Sequence, residues 1–244
     1  MDVFIKNLIE CGFRRNKVVF DLPIVVLAVP GAGKTSSIRR LLREDSRFEA
    51  WTFGVPDHHN CSGRFIKGVT ESSEPNPDKF LIVDEFQRGD WEKFKPFAIF
   101  GDVAQLMLKN TASFESVFSK CSSHRVPSSV AKLLQELDFE ITSEREGVLE
   151  IKDLLGSEPE GVVTCFESEV CDLLDYNQVD HKNPTEVIGL EFPIVSLVIS
   201  GRAVLEVHRA EFYICCTRAT DKLIIISPEP EQFHRGTHAI DSTS

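Results

Sequence analysis

The chain has 244 residues, 42% of them hydrophobic and 27% charged, an ordinary globular composition and enough length for one large domain or two modest ones. No stretch approaches the roughly 18–20 apolar residues that a membrane span needs, and the Met1-Asp-Val-Phe-Ile start lacks the basic and then apolar regions of a secretory leader. A formal net charge of −11 argues against a broadly basic nucleic-acid surface. The charge is uneven: residues 1–120 carry 17 Lys and Arg against 16 Asp and Glu, and residues 121–244 carry 10 against 22. A nucleic-acid site would therefore be a local strip, with Arg14, Arg15 and Lys17 or Arg39, Arg40 and Arg43 as candidates.

In chain order, short apolar, β-branched runs stand out at Ile24–Val29, Phe80–Val83, Phe97–Phe100, Val162–Phe166, Ile194–Ser200 and Leu223–Ile226. Bounded by Pro, Gly, Asp or Ser, they read as strands buried on both faces, as in a parallel sheet. Helices are expected between them. Thr35–Asp45 places Ile38, Leu41 and Leu42 on one face and arginines on the other, and Val130–Leu137 and Leu149–Leu155 read the same way. Alternating strand and helix gives an α/β class. Glu71–Asp78 reads as a surface loop, and the Ser-rich stretch Ser119–Ser129 as a break between near-equal halves, 1–118 and 119–244. The tail after Pro228 is expected to fray. Seven cysteines without a C-x-x-C pair argue for buried thiols and a reducing compartment, against a disulfide framework or a zinc site.

The stretch Val29-Pro-Gly-Ala-Gly-Lys-Thr35 sits at the exit of the first apolar run and the start of an amphipathic helix. This is the place and composition of a phosphate-binding loop, with Ala28 where the strict pattern has its first glycine. Backbone N–H groups of Gly31, Ala32 and Gly33 would converge on phosphate oxygens, with Lys34 on the β/γ-phosphates and the helix start at Thr35 and Ser36 adding its dipole. The Thr35 hydroxyl would ligate Mg²⁺. Such a loop calls for an acid at the end of a later strand. Leu81-Ile-Val-Asp-Glu85 supplies Asp84 for the metal and Glu85 to polarise an attacking water. A third run, Phe97-Ala-Ile-Phe-Gly-Asp-Val-Ala-Gln-Leu106, puts Gln105 where it would sense the γ-phosphate or its attacking water.

GAGKT, VDEFQ and GDVAQL in that order resemble the first half of a superfamily 1 helicase. The second half adds Ser123-His-Arg-Val-Pro127, Thr185-Glu-Val-Ile-Gly-Leu-Glu-Phe192 and Phe212-Tyr-Ile-Cys-Cys-Thr-Arg-Ala-Thr-Asp221. Ile188 and Glu191 stand where that superfamily often has Gln and a Ser or Thr. Compact size, a Met-Asp start and a Gly-Phe-x-Arg segment before the loop resemble the triple gene block protein 1 family of plant viruses, of potexvirus and carlavirus type.

The resemblance implies two tandem RecA-like P-loop NTPase domains with nucleotide between them. It also implies Arg125 and Arg218 meeting the transferring phosphate, the latter as a finger at the end of a helix over Val204–Thr217. It implies ATP or another NTP with Mg²⁺, RNA-stimulated hydrolysis, single-stranded RNA binding, cell-to-cell movement and suppression of host silencing. Implied partners are other viral movement proteins, coat protein, host silencing proteins and further copies of the chain. The implied location is host cytoplasm, plasmodesmata or inclusion bodies. Trp51-Thr-Phe-Gly-Val55 falls where the superfamily has an early nucleic-acid motif, or forms a core strand. A helicase-like scaffold with little turnover is the alternative; a P-loop kinase or transport ATPase is a third reading, in which GDVAQL and the Thr-Arg-Ala segment would have no role.

Overall fold

The computed structural model describes residues 1–102 and 114–233. The chain divides into two compact units, Met1–Ser123 and His124–Ser244. In the first, helix α1 (Asp2–Glu10) precedes β1 (Arg14–Arg15) and β2 (Ile24–Ala28). Helix α2 (Lys34–Glu44) follows, then β3 (Phe48–Thr52), β4 (Lys67–Gly68), β5 (Phe80–Asp84), β6 (Ala98–Gly101) and β7 (Phe118–Lys120). These strands form one sheet in the order β1-β7-β2-β6-β5-β3-β4. All pairs are parallel except β1 with β7. The division falls slightly beyond the break expected after residue 118, because β7 is the strand that pairs with β2 and completes this sheet.

Alternation along the strands gives the sheet two apolar faces. On one, Phe4 of α1 packs edge-on against Phe97 and Phe100, while Phe48 and Phe80 close the same ring cluster. On the other, Val25, Leu27, Leu81, Val83 and Ile99 pack with Trp51, Phe86 and Phe94. Helix α1 was not among the expected elements, although its apolar stripe of Phe4 and Leu8 is fully buried.

The second unit contains α3 (Ser128–Glu136), β8 (Val148–Asp153), β9 (Val162–Thr164), α4 (Ser168–Tyr176), α5 (Pro184–Val187), β10 (Phe192–Val198), α6 (Arg209–Cys216) and β11 (Ala219–Ser227). Its sheet runs β8-β11-β10-β9, parallel throughout. Leu149–Leu155, read above as helix, is strand: β8 pairs with β11 from Val148↔Lys222 to Asp153↔Ser227. Lys152 and Lys222 interleave with Glu150 and Glu160 along this edge, a charge ladder that the pairing creates. The helix expected over Val204–Thr217 is broken into a short 3₁₀ turn, Arg202–Glu206, and α6.

The cysteines also depart from expectation. Cys165 and Cys171 form a disulfide. The strand exit and the helix that follows bring two sulfurs together across a short loop, a meeting that linear spacing did not signal. Cys215 and Cys216 are buried thiols, as expected, and burial pushes the Cys215 thiol up to about 12.

Candidate nucleotide site and family

Every residue of β2 is buried, so the strand delivers Val29–Thr35 rigidly from the centre of its sheet. Gly31 and Gly33 have φ of 72° and 90°. That left-handed region strongly penalises a Cβ, and it lets the chain reverse into α2 with amides facing inward. The loop is braced from β7 and the segment beyond it. The Val29 N–H donates to the Lys120 carbonyl, and the Ser123 hydroxyl donates to the Pro30 carbonyl at 2.8 Å. Ser37 ties the first turn of α2 by donating to the Lys34 carbonyl, while Asn7 of α1 donates to the Ser37 carbonyl. Ser37 and Asn7 were not singled out from the sequence, and Ser123 was noted only as the first residue of the segment Ser123–Pro127. The Asn7 amide and the Ser123 hydroxyl reach the loop through contacts distant along the chain, which leave no local pattern.

Lys34 is 8% exposed, and its ammonium donates to the Ala28 and Val29 carbonyls at 2.9 and 3.2 Å. The Thr35 hydroxyl donates to Asp84 Oδ2 at 3.2 Å, so the two expected metal ligands already meet. Asp84, at the end of β5, also accepts the Glu85 N–H at 3.1 Å. Burial, then the neighbouring Glu85 charge, raises the Asp84 carboxyl to about 7, against the pull of Lys34 and its hydrogen bonds. Glu85 itself sits at φ 54°. Such a backbone costs on the order of 1–3 kcal/mol for a non-glycine residue and clusters at functional sites. The bend turns Glu85 off the strand, where its carboxylate accepts from Gln87 Nε2 at 2.9 Å.

Gly101, which ends β6, shows why that run closes on glycine: a Cβ there would lie 2.5 Å from the Phe86 ring and 2.7 Å from Gln87 Oε1. The turn carrying Phe86 and Gln87 is thereby seated directly on β6. Ala32 is buried in the loop interior and Ser36 faces solvent. Gln105 lies outside the described residues.

These features fit a bound Mg²⁺-nucleotide. A desolvated carboxyl and a hydroxyl converge beside a buried ammonium, under a loop held open by two left-handed glycines.

In the second unit, Arg125 is ion-paired with Glu191. Arg218 is 2% exposed and donates to the Ile214 carbonyl at 3.0 Å, the Leu190 carbonyl at 3.4 Å and the Thr217 hydroxyl at 2.9 Å. Both guanidiniums are thus engaged within their own unit. The candidate basic strips are also partly neutralised: Arg39 pairs with Asp57, Arg40 with Glu10 and Glu44, and Lys17 with Glu115. Trp51 is a core residue, packed edge-on against Phe94.

Comparison with known proteins gives the family. A family profile described as the viral superfamily 1 RNA helicase core domain matches residues 24–227. The movement and silencing protein TGBp1 of Poplar mosaic virus is 38% identical over 94% of this chain and 97% of its own length. The chain belongs to the TGBp1 family, within the viral superfamily 1 helicases. The TGBp1 of Chrysanthemum virus B is 39% identical over 94% of this chain and 97% of its own, and that of Potato virus X strain CP is 34% identical over 90% and 96%. Among solved structures, the arterivirus nonstructural protein 10 helicase in complex with DNA aligns over 96% of this chain at a TM-score of 0.51 and 16% identity. The PRRSV helicase aligns over 87% at 0.57 and 16%. This TGBp1 family member spans 59% and 53% of those two helicase chains. At that identity the likeness concerns the α/β fold with parallel sheets alone.

Proposed function

We propose that the chain is an NTPase of the movement-protein type, whose hydrolysis of ATP or another NTP with Mg²⁺ is stimulated by single-stranded RNA. In this reading the two units are tandem RecA-like domains. The observation that carries it is the meeting of Thr35, Asp84 and Lys34 beneath the loop from Gly31 to Gly33.

Lys34 exchanges its two carbonyl partners for phosphate oxygens, and the loop amides hold the same oxygens. Thr35 and Asp84 would hold Mg²⁺, which would supply positive charge to offset that of the phosphates. Glu85 positions a water for in-line attack and accepts its proton. Gln105 reports the terminal phosphate. Arg125 and Arg218 meet the developing charge once released from Glu191 and from the Ile214 and Leu190 carbonyls, a step worth roughly 10³–10⁵ in rate for arginine fingers elsewhere. The coupled outcome is RNA gripped and released for cell-to-cell transport in host cytoplasm and plasmodesmata, together with suppression of host silencing. Other viral movement proteins, coat protein and host silencing proteins are the partners.

The test is turnover with and without single-stranded RNA. Wild type is expected to respond to RNA, and Lys34→Ala to lose nearly all turnover. Equal rates in the two proteins reject the enzyme reading. One observation favours the alternative, an RNA- and host-protein-binding scaffold with slow turnover: both candidate arginines are engaged by other groups. That reading predicts RNA binding with a salt dependence that counts phosphate contacts, and no rate response.

A further inference from the structure

A second cluster lies in the other unit, apart from the phosphate loop. Cys165 leaves the end of β9 and is fully buried, Cys171 sits on α4, and His181 follows in the loop after that helix. The two sulfurs and a ring nitrogen of His181 all lie within 4.8 Å of one another.

The backbone fixes each donor separately. The Cys171 N–H donates to the Glu167 carbonyl, which holds the sulfur one turn into α4. The loop bearing His181 is clamped to β9 on both sides of Thr164: the Lys182 N–H donates to the Val163 carbonyl at 2.9 Å, and the Cys165 N–H donates to the Lys182 carbonyl at 3.2 Å. The His181 ring is oriented too. Its Nδ1 is 3.2 Å from the Val179 carbonyl and 3.7 Å from Asp175 Oδ1. The tautomer that donates from Nδ1 to that carbonyl leaves the lone pair on Nε2, the outer-sphere arrangement typical of ligating histidines.

We propose that Cys165, Cys171 and His181 form a zinc site when the two cysteines are reduced. A disulfide makes no use of a third, oriented soft donor; a zinc ion does. Two thiolates and one neutral imidazole balance the charge of Zn²⁺, so Cys165 can ionise at a buried position that would otherwise penalise it heavily. Thiolate and imidazole donors select zinc over the hard Mg²⁺ of the first unit. The Cα atoms of the cysteines are 5.9 Å apart, a span that suits chelation as well as a disulfide. The fourth position falls to water. Disulfide and zinc are alternative states of one sulfur pair. Bound zinc would pin the chain just ahead of Asn183, the cap of α5, and so steady the segment Thr185–Phe192.

The full-length chain, reduced with a phosphine, loaded with zinc and desalted, is expected to retain about one zinc ion. Cobalt in its place should show a thiolate-to-metal charge-transfer band. Cys165→Ser alters a buried position and risks the fold, so the decision rests on Cys171→Ser and His181→Ala at partly exposed ones. Each should weaken zinc affinity by more than about tenfold, the loss typical even of outer-sphere changes. Cys61→Ser, at an exposed cysteine outside the cluster, should leave it intact. The proposal is overturned if reduced wild type retains no more zinc than Cys171→Ser, if Cys61→Ser loses as much, or if the cobalt protein lacks the thiolate band.

Discussion

Asp84 carries the most informative single charge in the molecule. In the unfolded chain its carboxyl ionises near its ordinary value of 3.8, whereas in the folded chain it keeps its proton up to about 7. Between those limits the folded state binds more protons, so the stability this group confers is full at low pH and is lost as pH rises through about 7. Thermal melts of the nucleotide-free protein should therefore show wild type losing stability from acidic to mildly alkaline pH more steeply than Asp84→Asn. Mg²⁺ affinity should move oppositely and strengthen across the same interval, because only the carboxylate ligates.

The Arg125–Glu191 pair makes a second prediction at this scale. Glu191→Thr removes a carboxylate and the ion pair that it makes with Arg125. Single-stranded RNA should bind more tightly, with a steeper dependence of log affinity on log salt. Unchanged affinity and slope would remove Glu191 from any account of RNA coupling.

Elements show what the sequence made legible. Strands buried on both faces read clearly as short apolar runs, and β2, β5, β6, β10 and β11 all fall on runs identified from composition alone. The turn at Gly31–Gly33 and the helix after it were equally legible, because glycines with left-handed backbones and a following amphipathic helix are local signals. β8 was not. Val148–Asp153 carries Leu149, Glu150 and Lys152, residue types that form helices readily, and pairing with β11 over its whole length overrides that preference. The braces on the loop were hidden for a related reason, since the Val29–Lys120 and Ser123–Pro30 contacts join residues that only the tertiary fold makes neighbours.

Gly101 tests the seating of one element on another. Gly101→Ala places a methyl group against Phe86 and Gln87. It should cost about 1–3 kcal/mol, the usual range for overpacking, and should displace the turn that carries Glu85. Denaturant melts would read the first effect, and a drop in turnover larger than the stability loss explains would read the second.

For the whole molecule, the first unit, Met1–Ser123, holds the Gly31–Thr35 turn, Asp84 and Glu85, while the excess of acidic residues lies in the second, His124–Ser244. Ligand at a hundredfold excess over its dissociation constant stabilises the state that binds it by about 2.7 kcal/mol. Calorimetry with Mg²⁺ and a non-hydrolysable nucleotide should raise the transition of the first unit by this order, and Lys34→Ala should abolish the rise. Hydrogen exchange should assign the new protection to residues 29–37 and 84–87. Protection confined to the second unit instead would contradict the assigned site.

Lys34 closes the picture. Its ammonium is buried and rests on two carbonyl groups without any nucleotide. The cost of dehydrating that cation thus falls on the folding of the chain and is spared the incoming phosphate, which need only trade places with a pair of weaker dipoles. A tail too short to reach the loop interior meets a cation still satisfied by its own backbone.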